Sequence, residues 1–152
     1  MTEEIIFRNA RADDIEILAD LISIIFALEE DFTVDKQKQI RALQMLLQNP
    51  DNACIFVADC SGQAIAMCSA QLLLSTAEGG YKALVEDVVV SPEFQGRNIG
   101  KRLLEQVELW ARQKNIKRLD LAPDLDNEKG LAFYKKLGWS ETNMTMMQKK
   151  LY

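Results

Sequence analysis

The segment Val88-Val89-Val90-Ser91-Pro92-Glu93-Phe94-Gln95-Gly96-Arg97-Asn98-Ile99-Gly100-Lys101-Arg102 brings together an apolar run, a glycine-bearing loop and the basic first turn of a helical pattern. Such a turn is an anion site in physical terms. Its first N–H groups have no intrahelical acceptor, the helix dipole favours negative charge there, and Arg97, Lys101 and Arg102 add cations. Two phosphate loops are excluded by spacing. The dinucleotide fingerprint G-x-G-x-x-G needs a third glycine that is absent here. The P-loop needs four residues between its glycines and Ser or Thr after its Lys, whereas three separate Gly96 from Gly100 and Arg102 follows Lys101. A tight connection with no ligand uses the same residues, so the turn alone leaves both readings open.

Other chemistries are removed by composition. The chain has no histidine, which excludes His-based zinc sites, Ser/His/Asp triads, Cys/His dyads and an imidazole pH switch. Cys54, Cys60 and Cys68 are odd in number and spaced for neither a disulfide framework nor a metal knuckle, so they read as small buried hydrophobes, and no metal is expected. Carboxylates, Tyr, Lys and backbone dipoles remain. One acidic cluster stands out, Glu29-Glu30-Asp31-Phe32-Thr33-Val34-Asp35.

The elements that position these residues fit one domain over residues 1–152, since 152 residues with 48% apolar side chains suffice for one core. Net charge is −5, but residues 1–100 carry 7 Lys/Arg against 16 Asp/Glu, and residues 101–152 carry 11 against 7. An acidic total argues against nucleic-acid binding, while the basic C-terminal third suits a small polyanion. The start, Met1-Thr2-Glu3-Glu4, is acidic where a targeting peptide is basic, and the apolar run Leu21–Leu28 is too short to span a bilayer. A cytoplasmic protein with no membrane partner is expected.

Alternation over residues 4–10 predicts a strand, and Asp13 with Glu16 suggests a capping box for a helix over 14–28. Ile40, Leu43, Leu46 and Leu47 mark a second amphipathic helix stopped by Pro50. Ala53–Ala58 and Ala64–Leu74 form a predicted hairpin about residues 59–63, and Tyr81–Val90 is apolar enough for a central strand. Gly100–Lys114 is a clear amphipathic helix, with Glu108 four residues before Arg112 in the favourable order for an ion pair. Lys117–Ala122 reads as a strand, Pro123–Asp126 as a turn with an N-cap, Glu128–Leu137 as a helix closed by Gly138, and Thr142–Leu151 as a last strand. The predicted fold class is α/β (α+β), a mixed central sheet with helices on both faces.

At this point the chain resembles the GNAT superfamily of acyl-CoA-dependent N-acyltransferases over residues 4–151. The family's pyrophosphate motif reads here as Gln95-Gly96-Arg97-Asn98-Ile99-Gly100, with Asn98 in place of the middle glycine. Asn tolerates left-handed backbone angles best after Gly. Val85-Glu86-Asp87-Val88-Val89-Val90 resembles the family's fourth strand, and Asn127 through Trp139, with Phe133-Tyr134 and Gly138, resembles its last helix. The resemblance implies acetyl-CoA as cosubstrate. Its pyrophosphate would lie on the N–H groups of Gln95 through Lys101, with Arg97 and Lys101 near the phosphates. Its pantetheine arm would pair with the main chain of Val88 and Val90 and meet Asn127.

The resemblance further implies direct attack of an amine on the thioester, with Glu86 as base through a water, Tyr134 as acid for the thiolate, and a backbone N–H near Val88 for the oxyanion. Asp87 is the alternative base, because strand alternation sends consecutive side chains to opposite faces. The acceptor is expected to be a small cationic amine met by Glu29, Glu30 and Asp31, with Phe32 covering an alkyl stem; a solvated connecting loop fits the same residues. Assembly as a homodimer is admitted. The competing functions are a non-catalytic acyl-CoA-binding sensor or scaffold, and a nucleotide-binding protein of another class.

Overall fold

The computed structural model describes residues 3–28 and 33–152, in two compact units, residues 1–120 and 121–152. In the first, β1 (Ile5–Asn9) leads through a 3-10 turn (Ala12–Asp14) into α1 (Ile15–Leu28), and α2 (Lys36–Leu47) follows. Then come β2 (Ala53–Cys60), β3 (Gln63–Ser75), β4 (Gly80–Val90), a 3-10 turn (Pro92–Phe94), α3 (Ile99–Gln113) and β5 (Leu119–Asp120). The strands lie in the order β1-β2-β3-β4-β5; the first four are antiparallel neighbours and β5 runs parallel to β4.

All eight residues of β2 are buried, as expected of a strand with neighbours on both edges and helices on both faces. On one face Ile55, Val57, Met67 and Val89 join Leu18, Leu21 and Ile22 of α1 and Leu43 of α2 in a single core. The intervening residues face α3. The Cys68 thiol lies 3.7 Å from the Leu103 carbonyl, and Ala83 packs with Ala111 and Ile116. Leu18, Leu43, Met67 and Leu103 are at most 1% exposed, so truncating any one to Ala costs about 2–5 kcal/mol. The predicted α/β architecture with helices on both faces is the observed one.

Several local expectations are corrected. The α1 entrance is capped by Asp14 and not by the Asp13/Glu16 pair: Asp14 accepts the Arg11 N–H at 2.7 Å and two guanidinium bonds from Arg8 at 2.7 and 2.9 Å. Arg8 Nε also donates to Asp59 at 2.8 Å, and Asp59 accepts the Gly62 N–H at 2.7 Å. Asp14 and Asp59 are 6% and 3% exposed, so Arg8 is what makes their burial tolerable. The β2–β3 loop tightens to Ser61-Gly62, with φ of 55° and 90°, the left-handed pair that a two-residue hairpin turn demands. Among the described ion pairs Glu108–Arg112 is absent; Glu108 is half-buried and Arg112 exposed, and an ion pair at such a surface gains little. β5 is two residues and not six, because only Leu119 and Asp120 find β4 partners.

In residues 121–152, α4 (Glu128–Lys136) is capped by Asn127, whose side chain accepts the Gly130 N–H at 3.0 Å. Asp124 accepts the Asp126 N–H at 2.9 Å, forming the turn that precedes it. The helix ends in a left-handed Gly138 (φ 95°) with Trp139 N–H to Tyr134 carbonyl and Gly138 N–H to Lys135 carbonyl, a Schellman closure. The predicted strand over Thr142–Leu151 is not formed. Met144, Met146, Met147 and Leu151 are all more than 70% exposed, so no burial offsets the entropy of ordering a strand there.

Candidate functional site

The site-bearing stretch begins with an irregularity in β4. Between the pairs Met67–Val89 and Ser69–Glu86, two steps along β3 match three along β4. An extra residue is therefore accommodated at Asp87-Val88, opposite Cys68, and Asp87 takes φ 53°. Asp is among the few side chains that adopt this region readily. Bulges break the two-residue alternation and re-aim side chains. Ala83 faces α3, whereas Val89 lies in the α1/α2 core. Glu86 lies on the same α1/α2 face as Val89, three residues away, which strict alternation forbids. Its carboxylate is exposed, and the Ser69 hydroxyl donates to its carbonyl at 3.2 Å.

The second feature is the edge of β4. The parallel pairing of β5 with β4 takes in Ala83 and Leu84, whereas the antiparallel pairing of β4 with β3 runs on to Val90. Ser91 donates its N–H to the Ile65 carbonyl of β3, which turns the main-chain groups of Val90 toward the other side. The Gln95 amide reaches the Val90 carbonyl at 3.2 Å and ties the loop to the strand end.

The loop then enters α3 through two left-handed residues, Gly96 (φ 78°) and Asn98 (φ 60°, ψ 17°). Asn98 therefore holds the geometry expected of the residue it replaces. A Cβ on Gly96 would meet no atom within 4 Å, so the left-handed angle and not crowding is what calls for glycine. Among the described residues, the N–H groups from Gly96 to Lys101 are given to no backbone carbonyl and no side chain; intrahelical bonding starts with Arg102 to the Asn98 carbonyl. Six consecutive donors at a helix start form an arrangement that can hold an anion.

The cations around it are not equivalent. Lys101 and Arg97 are exposed, Lys101 lying 3.9 Å from Glu105 and Arg97 over the Phe94 ring at 5.0 Å. Arg102 instead stacks on Phe7 of β1 at 4.2 Å, which draws it from the convergence expected of it. The thiols are poor nucleophiles: burial pushes Cys54 up to about 12 and Cys68 higher still. A cleft of about 390 Å³ between α1, the β2–β3 turn and Ser91–Phe94 borders this loop. Neither Glu86 nor any residue from Gly96 to Lys101 lines it.

In the second unit Asn127 and Tyr134 stand seven residues apart, close to two turns, and so share a side of α4. Tyr134 is half-buried, with ring edges of Phe133 at 5.1 Å and Trp139 at 6.0 Å fixing its plane. The structure thus brings Glu86, Val88, Val90, Gln95, Gly96, Arg97, Asn98, Gly100 and Lys101 onto one strand–loop–helix passage. Asn127 and Tyr134 occupy another element, and Glu29, Glu30, Asp31 and Phe32 lie outside the described residues. Sequence reasoning missed Ser69 and the Asp87 bulge, neither of which has a local signature.

Against known proteins, the model of the acetyltransferase (GNAT) family matches residues 21–139. An aminoglycoside N(6′)-acetyltransferase type 1 from Acinetobacter genomosp. 13 is 29% identical over 119 residues, 75% of this chain and 80% of that one. An uncharacterized N-acetyltransferase of Methanocaldococcus jannaschii is 24% identical over 135 residues; the match covers 88% of this chain but 60% of that longer protein. Among solved structures, aminoglycoside N-acetyltransferase AAC(6′)-Iy in complex with CoA superimposes with TM-score 0.85 at 19% identity, covering 100% of this chain and 98% of that one.

Proposed function

The chain belongs to the acetyltransferase (GNAT) family, and on that premise we propose that it moves an acetyl group from acetyl-CoA to a primary amine of a small, cationic acceptor. Both units act together as one acetyltransferase domain in this reading. The observation that carries it is the run of main-chain N–H groups from Gly96 to Lys101 that take no acceptor among the described residues, directly after the part of β4 that extends past its short pairing with β5. A pyrophosphate answers the first feature, and an extended arm that pairs like a strand answers the second. Acetyl-CoA supplies both, together with a thioester that an amine can attack.

The chain's own residues have four tasks. Gly96 to Lys101 hold the phosphates by main-chain donors, with Arg97 and Lys101 adding charge. Val88 and Val90 hold the arm by their main chain, Asn127 adds a polar contact, and the N–H near Val88 faces the developing oxyanion. Glu86 takes a proton from the acceptor through a water, because a simple amine with pKa about 10.4 arrives protonated and cannot attack. Tyr134 returns a proton to the departing thiolate. The carboxylate's exposure suits the first transfer, and the Phe133 and Trp139 edges hold the phenol for the second.

The acceptor class rests on the Acinetobacter relative, an aminoglycoside acetyltransferase, and on the acidic run Glu29-Glu30-Asp31, which attracts a polycation. Thermal shift with acetyl-CoA and with ATP tests cofactor choice, and thiol release with an aminoglycoside, a polyamine and a neutral-bodied monoamine tests turnover. Stabilisation by acetyl-CoA alone, with thiol release for the cationic amines, is expected. Stabilisation by ATP and not by acetyl-CoA overturns the reading, and binding of acetyl-CoA without thiol release leaves a sensor.

A further inference from the structure

Ser69 is 1% exposed in the middle of β3, a place where a hydroxyl needs a partner. Its partner is the Glu86 main-chain carbonyl, at 3.2 Å. Ser69 and Glu86 are the last regularly paired residues before the register breaks at the bulge. The bulge puts Asp87 at a left-handed φ of 53°, a conformation that persists where neighbours determine it. The hydroxyl adds a side-chain bond across the strands at the residue where the backbone must leave regular pairing, and it does so on the α1/α2 face, where the Glu86 carboxylate also projects.

We propose that Ser69 is a positioning residue for the acetyl transfer: its hydroxyl fixes the Glu86 peptide against β3, which aims the Glu86 carboxylate and sets the phase of the Asp87-Val88 bulge. This rests on the role of Glu86 given above and deepens it. Ser69 touches no reacting atom, so it acts only through Glu86. Loss of the bond lets the peptide rotate, and misplacement of a proton-transferring group by about 1 Å is enough to cost up to roughly a hundredfold in rate. The phosphate cradle lies beyond the bulge, at residues 96–101, where Gln95 and Gly96 define the chain path independently.

The test is a double-mutant cycle of Ser69→Ala and Glu86→Gln, with acetyl-CoA affinity by calorimetry and kcat from thiol release with the best amine of the panel. Ser69→Cys joins it as a variant of similar volume that keeps a weak donor. The expected result for Ser69→Ala is a fall in kcat of at least about tenfold with acetyl-CoA affinity unchanged. Ser69→Cys should be intermediate, and Ser69→Ala should add nothing in the Glu86→Gln background. If Glu86→Gln slows turnover but Ser69→Ala does not, or if the two losses simply multiply, Ser69 is structural and the Glu86 assignment stands. If Glu86→Gln leaves kcat unchanged, both assignments fall together.

Discussion

Asn98 offers the most direct perturbation of the anion cradle. It is the N-cap of α3 at φ 60° and ψ 17°, and it stands in the middle of the six N–H groups that take no acceptor among the described residues. Asn98→Val places a β-branched side chain where left-handed angles cost about 1–2 kcal/mol or more, so either the folded state pays that strain or the loop rearranges. A rearranged loop misdirects the neighbouring donors. One hydrogen bond to a charged group is worth about 1.5–3 kcal/mol, so the loss of one weakens acetyl-CoA binding by at least about tenfold and by more than a hundredfold at the upper end. Asn98→Gly relieves the strain, adds no atoms and should bind as the parent does. Gly100→Val, in the first turn of α3, should keep the fold and weaken binding at least tenfold, about 1.4 kcal/mol. Calorimetric titration with acetyl-CoA and thermal melts of the free proteins separate affinity from stability. Parent-like affinity for both Asn98→Val and Gly100→Val refutes the cradle.

Other consequences follow. Glu86→Gln and Tyr134→Phe should each lower kcat by roughly 10²–10⁴-fold with little change in acetyl-CoA affinity; Asp87→Asn being the more damaging change would transfer the base to the bulge residue. Arg8→Met strands two carboxylates that are 6% and 3% exposed and should cost about 3–5 kcal/mol by urea unfolding, with Asp14→Asn in the same background recovering part of it. The Asp14 carboxyl is held below its ordinary range, chiefly by the Arg8 hydrogen bonds. Its stabilisation is therefore complete above the unfolded value of about 3.9 and fades as pH falls through the lower folded value, a dependence that Arg8→Met should weaken, leaving the smaller Arg11 contribution against burial. If the acidic run selects the acceptor, kcat/KM for a polyamine should fall as salt shortens the Debye length to about 8 Å at 0.15 M, and the Glu29→Gln, Glu30→Gln, Asp31→Asn variant should raise KM. An unchanged KM in that variant removes the run from substrate choice.

Much of the scaffold was legible because burial and periodicity are local signals. The continuous apolar run of β2, the one-sided spacing of α3 and the left-handed Gly138 each declare themselves within a few residues. The passage from Gln95 to Lys101 was legible for the same reason, since its glycines, cations and helix start are adjacent in the chain. What stayed hidden depends on distant partners. The bulge at Asp87 is a mismatch of counts between β3 and β4, and nothing in Val85–Val90 announces it. The choice of Asp14 over Asp13 as the α1 cap is made by Arg8, which lies on β1 and also serves Asp59. β5 is short because only two of its residues meet β4, and the tail's apolar residues carry alternation without burial. Ser69 reads as an ordinary strand residue until its hydroxyl is seen on the Glu86 carbonyl.

The central claim is that an acetyl group passes from acetyl-CoA to an amine on this chain. Incubation with acetyl-CoA isotopically labelled in the acetyl carbonyl, together with the aminoglycoside and polyamine acceptors, followed by mass spectrometry of acceptor and protein, tests it in one measurement. The account predicts label on an acceptor nitrogen in amounts equal to the thiol released, none on the protein, and loss of both in Glu86→Gln. Label retained on a cysteine of the chain, or saturating acetyl-CoA with no labelled amine, would contradict direct transfer.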